Sequence, residues 1–96
     1  MPVISRFYGM LVKMYLLGKE HNPPHIHFIY GEYNGVIDLV EIKLIEGDLP
    51  TKALSMAIEW TKKHKEELME MWATQVFKTL PPLEGYGEGE LYVPQE

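Results

Sequence analysis

The stretch His25-Ile26-His27-Phe28-Ile29-Tyr30-Gly31-Glu32-Tyr33-Asn34-Gly35-Val36-Ile37-Asp38-Leu39-Val40 decides the fold of this chain. Two runs rich in β-branched and aromatic residues, His25 to Tyr30 and Val36 to Val40, flank Asn34-Gly35, the strongest short hairpin signal a sequence offers. A two-residue turn at Asn34-Gly35 would set Tyr30 opposite Leu39 and Phe28 opposite Glu41. Side chains alternate along a strand, so Ile26, Phe28, Tyr30, Ile37 and Leu39 would share the inner face. His25 and His27 would then leave the outer face together, beside Val40 and Ile42.

Upstream, Val3 to Tyr8 alternates and is rich in strand formers, and Gly9 turns or bulges the chain before the apolar run Met10 to Leu17. Gly18-Lys19-Glu20 reads as a further turn. Downstream, a short strand from Ile42 to Ile45 closes at Glu46-Gly47-Asp48. Asp48-Leu49-Pro50 is a helix start, with an acidic cap candidate and a proline tolerated in the first turn. Thr51 to Phe77 contains no glycine or proline, and Leu54, Ile58, Thr61, Leu68, Trp72 and Val76 trace one face, with Ala57 beside them. Lys65 interrupts that stripe as a side chain able to snorkel, and Pro81-Pro82 ends the helical region. The order β-β-β-β-(β)-α predicts an α+β fold: a curved antiparallel sheet of four to five strands, covered on one face by one long C-terminal helix. The expected organisation is a single domain over residues 1–80 and an acidic Gly/Pro-rich tail over residues 81–96, whose Leu91-Tyr92-Val93 would suit an edge strand or a docking contact.

With 96 residues, the chain has room for one core. It has no cysteine, which removes disulfides, thiolate nucleophiles and thiolate zinc sites. The formal charge of −5 disfavours direct nucleic-acid binding, because the small basic cluster Lys62, Lys63 and Lys65 is offset at once by Glu66 and Glu67. No apolar run is long enough to span a membrane, and the expected setting is soluble and cytoplasmic. Sheet edges in so small a domain leave a homodimer open.

Three of the four histidines fall in His21-Asn22-Pro23-Pro24-His25-Ile26-His27. Imidazole changes charge near neutral pH and is the commonest metal ligand, and two prolines stiffen the approach to His25. A divalent-metal site would combine His25, His27 and Glu32, with Asp38 or His64 as further donors, although no cofactor is the simpler expectation. His25-x-His27-x4-Glu32 has the spacing of the first cupin motif, but the only later histidine, His64, falls in the helix and cannot supply the second. Alternatively, His25 and His27 would serve a phosphodiester as acid and base, with Arg6 or Lys43 holding the phosphate. The plainest alternative is that the rings cap backbone groups around a proline-rich corner. Trp60 and Trp72 read as core or rim packing, and His64 as a packed helix histidine.

Met1-Pro2-Val3-Ile4-Ser5-Arg6-Phe7, the histidine segment and Tyr30-Gly31-Glu32-Tyr33 together resemble small bacterial proteins catalogued as domain of unknown function 4160. Gly47-Asp48-Leu49-Pro50, Ala53-Leu54, Glu59-Trp60 and Leu68-Met69-Glu70-Met71-Trp72 extend the resemblance to about residue 75, and the sequence departs from it beyond Pro81. The resemblance implies no settled activity. It implies that His21, Pro23, Pro24, His25 and His27 form the family's characteristic segment, and that its members resemble components of toxin–antitoxin-like cassettes.

The functional expectation is a small module that binds the product of a neighbouring gene in a toxin–antitoxin-like or regulatory two-gene unit. Its recognition surface would comprise His21, Asn22, Pro23, Pro24, His25, His27 and Tyr30. The alternative is a small hydrolase, metal-dependent or a metal-free ribonuclease, with His25, His27 and Arg6 at its centre.

Overall fold

Tight turns decide how the first half of the chain pairs. In a computed structural model of the protein, which describes residues 3–15 and 23–83, Tyr8 and Gly9 both take positive φ, 55° and 76°. That is the type I′ combination, whose twist suits adjoining strands. It joins β1 (Val3–Phe7) to β2 (Met10–Lys13), with Phe7 facing Met10. Gly18-Lys19-Glu20 and the end of the Met10–Leu17 run lie outside the described residues.

The central hairpin pairs β3 (His25–Tyr30) with β4 (Tyr33–Asp38), but it turns at Gly31-Glu32 and not at Asn34-Gly35. Tyr30 faces Tyr33, Phe28 faces Gly35 and His25 faces Asp38, so the expected pairs of Tyr30 with Leu39 and Phe28 with Glu41 are corrected. Gly31 meets the turn's need for positive φ, at 60°. Gly35 is needed inside the strand for a different reason: a Cβ there would lie 2.7 Å from Leu49 Cγ. The slip is by an even number of residues, so the faces survive it. Ile26, Phe28, Ile37 and Leu39 are all fully buried on the inner side, as expected.

Ile42, at φ 55°, leads into β5 (Lys43–Gly47), one residue later than expected and extending through Gly47. The strands run in the order β1-β2-β3-β4-β5, each antiparallel to its neighbour. Asp48 Oδ1 accepts the adjacent Leu49 N–H at 2.9 Å, and Pro50 precedes the first helical residue with no side-chain cap.

The helical region is α1 (Thr51–Lys63) and α2 (Lys65–Thr74), not one continuous helix. His64 breaks it at φ −111° and ψ 20°. The second piece ends before the expected Phe77, at Gln75 in the left-handed region. The face of α1 turned to the sheet carries Ala53, Met56, Ala57, Trp60 and Thr61. Trp60 is fully buried, its ring 5.8 Å from Phe7 and 6.0 Å from Phe28. Burying this indole removes more apolar surface from water than burying Leu54 or Ile58, which rotates the expected stripe. Leu54 and Ile58 are left half-buried, and Val76, expected on the stripe, is 69% exposed. Lys65 does snorkel, its ammonium bonding Val40 O at 3.0 Å. Among the described residues, no helix is long and apolar enough to cross a membrane.

Candidate functional site

Strand alternation puts His25, His27 and Ile29 on the face of β3 turned away from Ile26 and Phe28, and therefore away from α1. The ladder then fixes their neighbours. His25 faces Asp38, which faces Lys43 on β5; His27 lies between Lys13 on β2 and Val36 on β4. The two imidazoles sit side by side with centroids 5.3 Å apart, meeting edge to face at 65°.

This pair is closed over. His25 is 8% exposed and His27 is 7% exposed. The Trp72 ring, from α2, lies 5.0 Å from His25, and the Tyr15 ring lies 4.3 Å from His27. The break at His64 redirects α2 toward this end of the sheet, where Lys65 grips the loop after β4 and Trp72 reaches His25.

The same residues organise the proline corner. His25 Nδ1 lies 2.6 Å from Pro23 O. A carbonyl only accepts, so Nδ1 carries the proton and donates it. Leu39 N–H donates to Pro24 O at 2.9 Å, so both proline carbonyls are engaged. Asp38 Oδ1 accepts the Val40 and Glu41 N–H groups at 2.6 and 3.0 Å, and Asp38 O accepts from Ile42 N–H at 2.8 Å. Asp38 is thereby the staple of a tight loop whose tip, Val40, is 51% exposed. Beside it Lys43 Nζ and Glu41 Oε1 pair at 2.9 Å, and that hydrogen bond to the carboxylate holds the ammonium above its ordinary pKa. The corner and this loop are joined edge to edge through the Leu39–Pro24 bond.

The remaining candidates lie apart from the pair. Arg6 is exposed on β1, in the row Arg6–Leu11–Ile29, two strands from β3 and two residues along it from His27. Its Cα is therefore about 12 Å from that of His27, at ~4.8 Å per strand and ~3.3 Å per residue. The cation directly opposite His27 is Lys13. Glu32 occupies the exposed β3–β4 turn, at the far end of the strand from the histidines. Tyr30 is at that end too, half-buried and stacked on Tyr8 with centroids 5.6 Å apart. His64 is buried in the helical break against Trp60 and 3.1 Å from Glu67 Oε1. Among the described residues, no three His, Asp or Glu side chains are grouped so as to hold a metal ion. His21 and Asn22 lie outside the described residues.

Sequence reasoning missed Tyr15, Trp72 as the cover of His25, and Lys13. Lys13 was legible in principle once the strand register was set; Trp72 was not, because its reach depends on the bend at His64.

The architecture and the buried histidine pair define a small α+β domain built around a proline-supported corner. The family described as domain of unknown function (DUF4160) matches residues 9–73, more than half of the 96 residues, and the chain belongs to that family. No curated protein and no solved structure matches it significantly.

Proposed function

We propose that the protein is a binding module whose partner is the product of a neighbouring gene, in a toxin–antitoxin-like or regulatory two-gene unit. The segment His21 to His27 supplies the recognition surface, with its outward residues making contact and His25 and His27 serving as framework. The observation that carries this reading is the closure of the pair: both rings are more than nine-tenths buried beneath Tyr15 and Trp72, and His25 is committed to Pro23 O. An acid–base or metal pair needs an opening through which a substrate enters, within ~3.2 Å of the reacting group. What is exposed instead is Pro23 on the corner and Val40, Glu41 and Lys43 on the loop that the Leu39–Pro24 bond joins to it. Proline and a partly exposed aliphatic residue, rimmed by one charge of each sign, suit a protein contact.

A hydrolytic reading retains one observation in its favour, the 5.3 Å juxtaposition of the imidazoles between Asp38 and Lys13. In that reading Lys13 takes the role expected of Arg6. Co-expression with the adjacent gene's product separates the two readings. Co-purification of a stoichiometric complex, with growth unaffected by His27→Ala, supports binding. Toxicity that His25→Ala and His27→Ala both relieve in folded protein, without any complex, overturns it in favour of hydrolysis.

A further inference from the structure

At the opposite edge of the sheet, the chain beyond α2 returns to the body and docks there. Ile4 is the extra residue of a bulge between Val3 and Ser5 on β1, an edge strand. Bulges re-aim backbone groups at sheet edges, and the Ile4 carbonyl accepts the Leu80 N–H at 2.7 Å. One residue on, Pro81 O accepts the indole N–H of Trp60 at 2.9 Å, so the innermost aromatic of the core presents its one polar atom to this segment. Leu80 and Leu83 are each 6% exposed, whereas Pro81 is exposed and Pro82 half-buried.

That burial pattern has a period of three. Two consecutive prolines fix their own φ and drive the preceding residues into extended conformations. A polyproline II helix has three residues per turn, which puts Leu80 and Leu83 on one side. The segment Leu80-Pro81-Pro82-Leu83 thus makes the contacts by which proline-containing peptides are recognised: an aromatic N–H to a proline carbonyl, two apolar anchors one turn apart, and a main-chain bond to a sheet edge. It is joined to α2 by residues 75–79, of which Val76, Lys78 and Thr79 are exposed while Phe77 packs partly buried against the core. It also lies beyond the family-matched residues 9–73.

We propose that the cleft between the Ile4 edge of β1 and Trp60 is a recognition site for apolar, proline-containing peptides of Leu-Pro-Pro-Leu type, filled in cis by residues 80–83. A partner segment of the same chemistry binds there by displacing the chain's own. The cleft is separate from the histidine corner, so its test stands or falls apart from that of the corner.

The test uses the full chain, nitrogen-labelled at its tryptophans, and a synthetic peptide of residues 78–84. In the L80D/L83D variant the Trp60 indole resonance is expected to leave its wild-type position, and the peptide to return it. Wild type, whose tethered segment competes at an effective concentration of order mM, is expected to respond about tenfold more weakly or less. A folded variant that ignores the peptide, or a wild-type protein that binds it as well as the variant, overturns the proposal. A second protein carries a protease site at the exposed Lys78–Thr79 junction and leaves both leucines in place. After cleavage, release of the fragment on dilution and recovery of the indole signal with added peptide support the site. A body that unfolds when the fragment leaves, or in the double variant, makes residues 80–83 ordinary core and ends the proposal.

Discussion

His25→Ala separates a framework histidine from a catalytic one. The substitution removes a ring packed on Trp72 at 5.0 Å and on His27 at 5.3 Å, together with the bond from Nδ1 to Pro23 O. The lost hydrogen bond costs about 1 kcal/mol, and emptying a ring-sized space under Trp72 adds about 1–3 kcal/mol, below the range for Phe→Ala because imidazole is smaller and polar. The expected total is roughly 2–4 kcal/mol, a large share of the ~5–15 kcal/mol by which a domain is stable. For a chain of this length that lowers the melting temperature by roughly 10–25 °C. His25→Asn keeps a donor near the Nδ1 position and loses the ring, so it should fall between wild type and alanine. A double-mutant cycle with Trp72→Ala should return a coupling of about 0.5–1.5 kcal/mol. Urea unfolding followed by tryptophan fluorescence and far-ultraviolet circular dichroism measures wild type and the four variants, His25→Ala, His25→Asn, Trp72→Ala and the double substitution. If His25→Ala unfolds within about 0.5 kcal/mol of wild type, as a solvated surface residue would, the ring does not support the corner and the reasoning fails.

Other substitutions probe the elements around it. Gly35→Ala places a methyl group 2.7 Å from Leu49 Cγ and 3.0 Å from Leu44 Cδ1; it should destabilise by about 1–3 kcal/mol in urea unfolding, whereas a turn at Asn34-Gly35 would leave that methyl group in solvent. Val76→Asp should change stability by less than about 0.5 kcal/mol, because the side chain is 69% exposed. Ala57→Asp, on the buried face of α1, should prevent folding altogether, as seen by loss of amide dispersion. Asp38→Ala should raise hydrogen exchange at the Val40 and Glu41 amides, which Asp38 Oδ1 accepts, while the amides of Ile26 and Phe28 stay protected.

How much of this was legible in the sequence depended on whether the deciding force was local. The strands of the first half and the inner face of the central hairpin followed from alternation, and even the wrong turn preserved them, because Gly31-Glu32 and Asn34-Gly35 differ by a register shift that keeps each side chain on its face. The turn itself was misread because the need of Gly35 for a missing side chain comes from Leu49, fourteen residues later. The helix face was misread by counting apolar residues equally, when the large indole of Trp60 is the one fully buried against the sheet and Leu54 and Ile58 are left partly buried. At the site, the adjacency of His25 and His27 followed from their spacing of two. Their closure did not, since Trp72 arrives through a bend at His64 that no glycine or proline announces.

The central claim is that the surface beside the histidines, and not the imidazoles, makes the contact. It is tested most directly by the dissociation constant of the complex with the adjacent gene's product, measured by titration calorimetry for wild type and Val40→Asp. Val40 is 51% exposed and its substitution leaves the His25–Trp72 contact alone. A charge placed at a contacting aliphatic position should weaken binding at least about thirtyfold, equivalent to ~2 kcal/mol, with the melting temperature unchanged. An equal dissociation constant for the two proteins, or no complex with wild type, would contradict the claim.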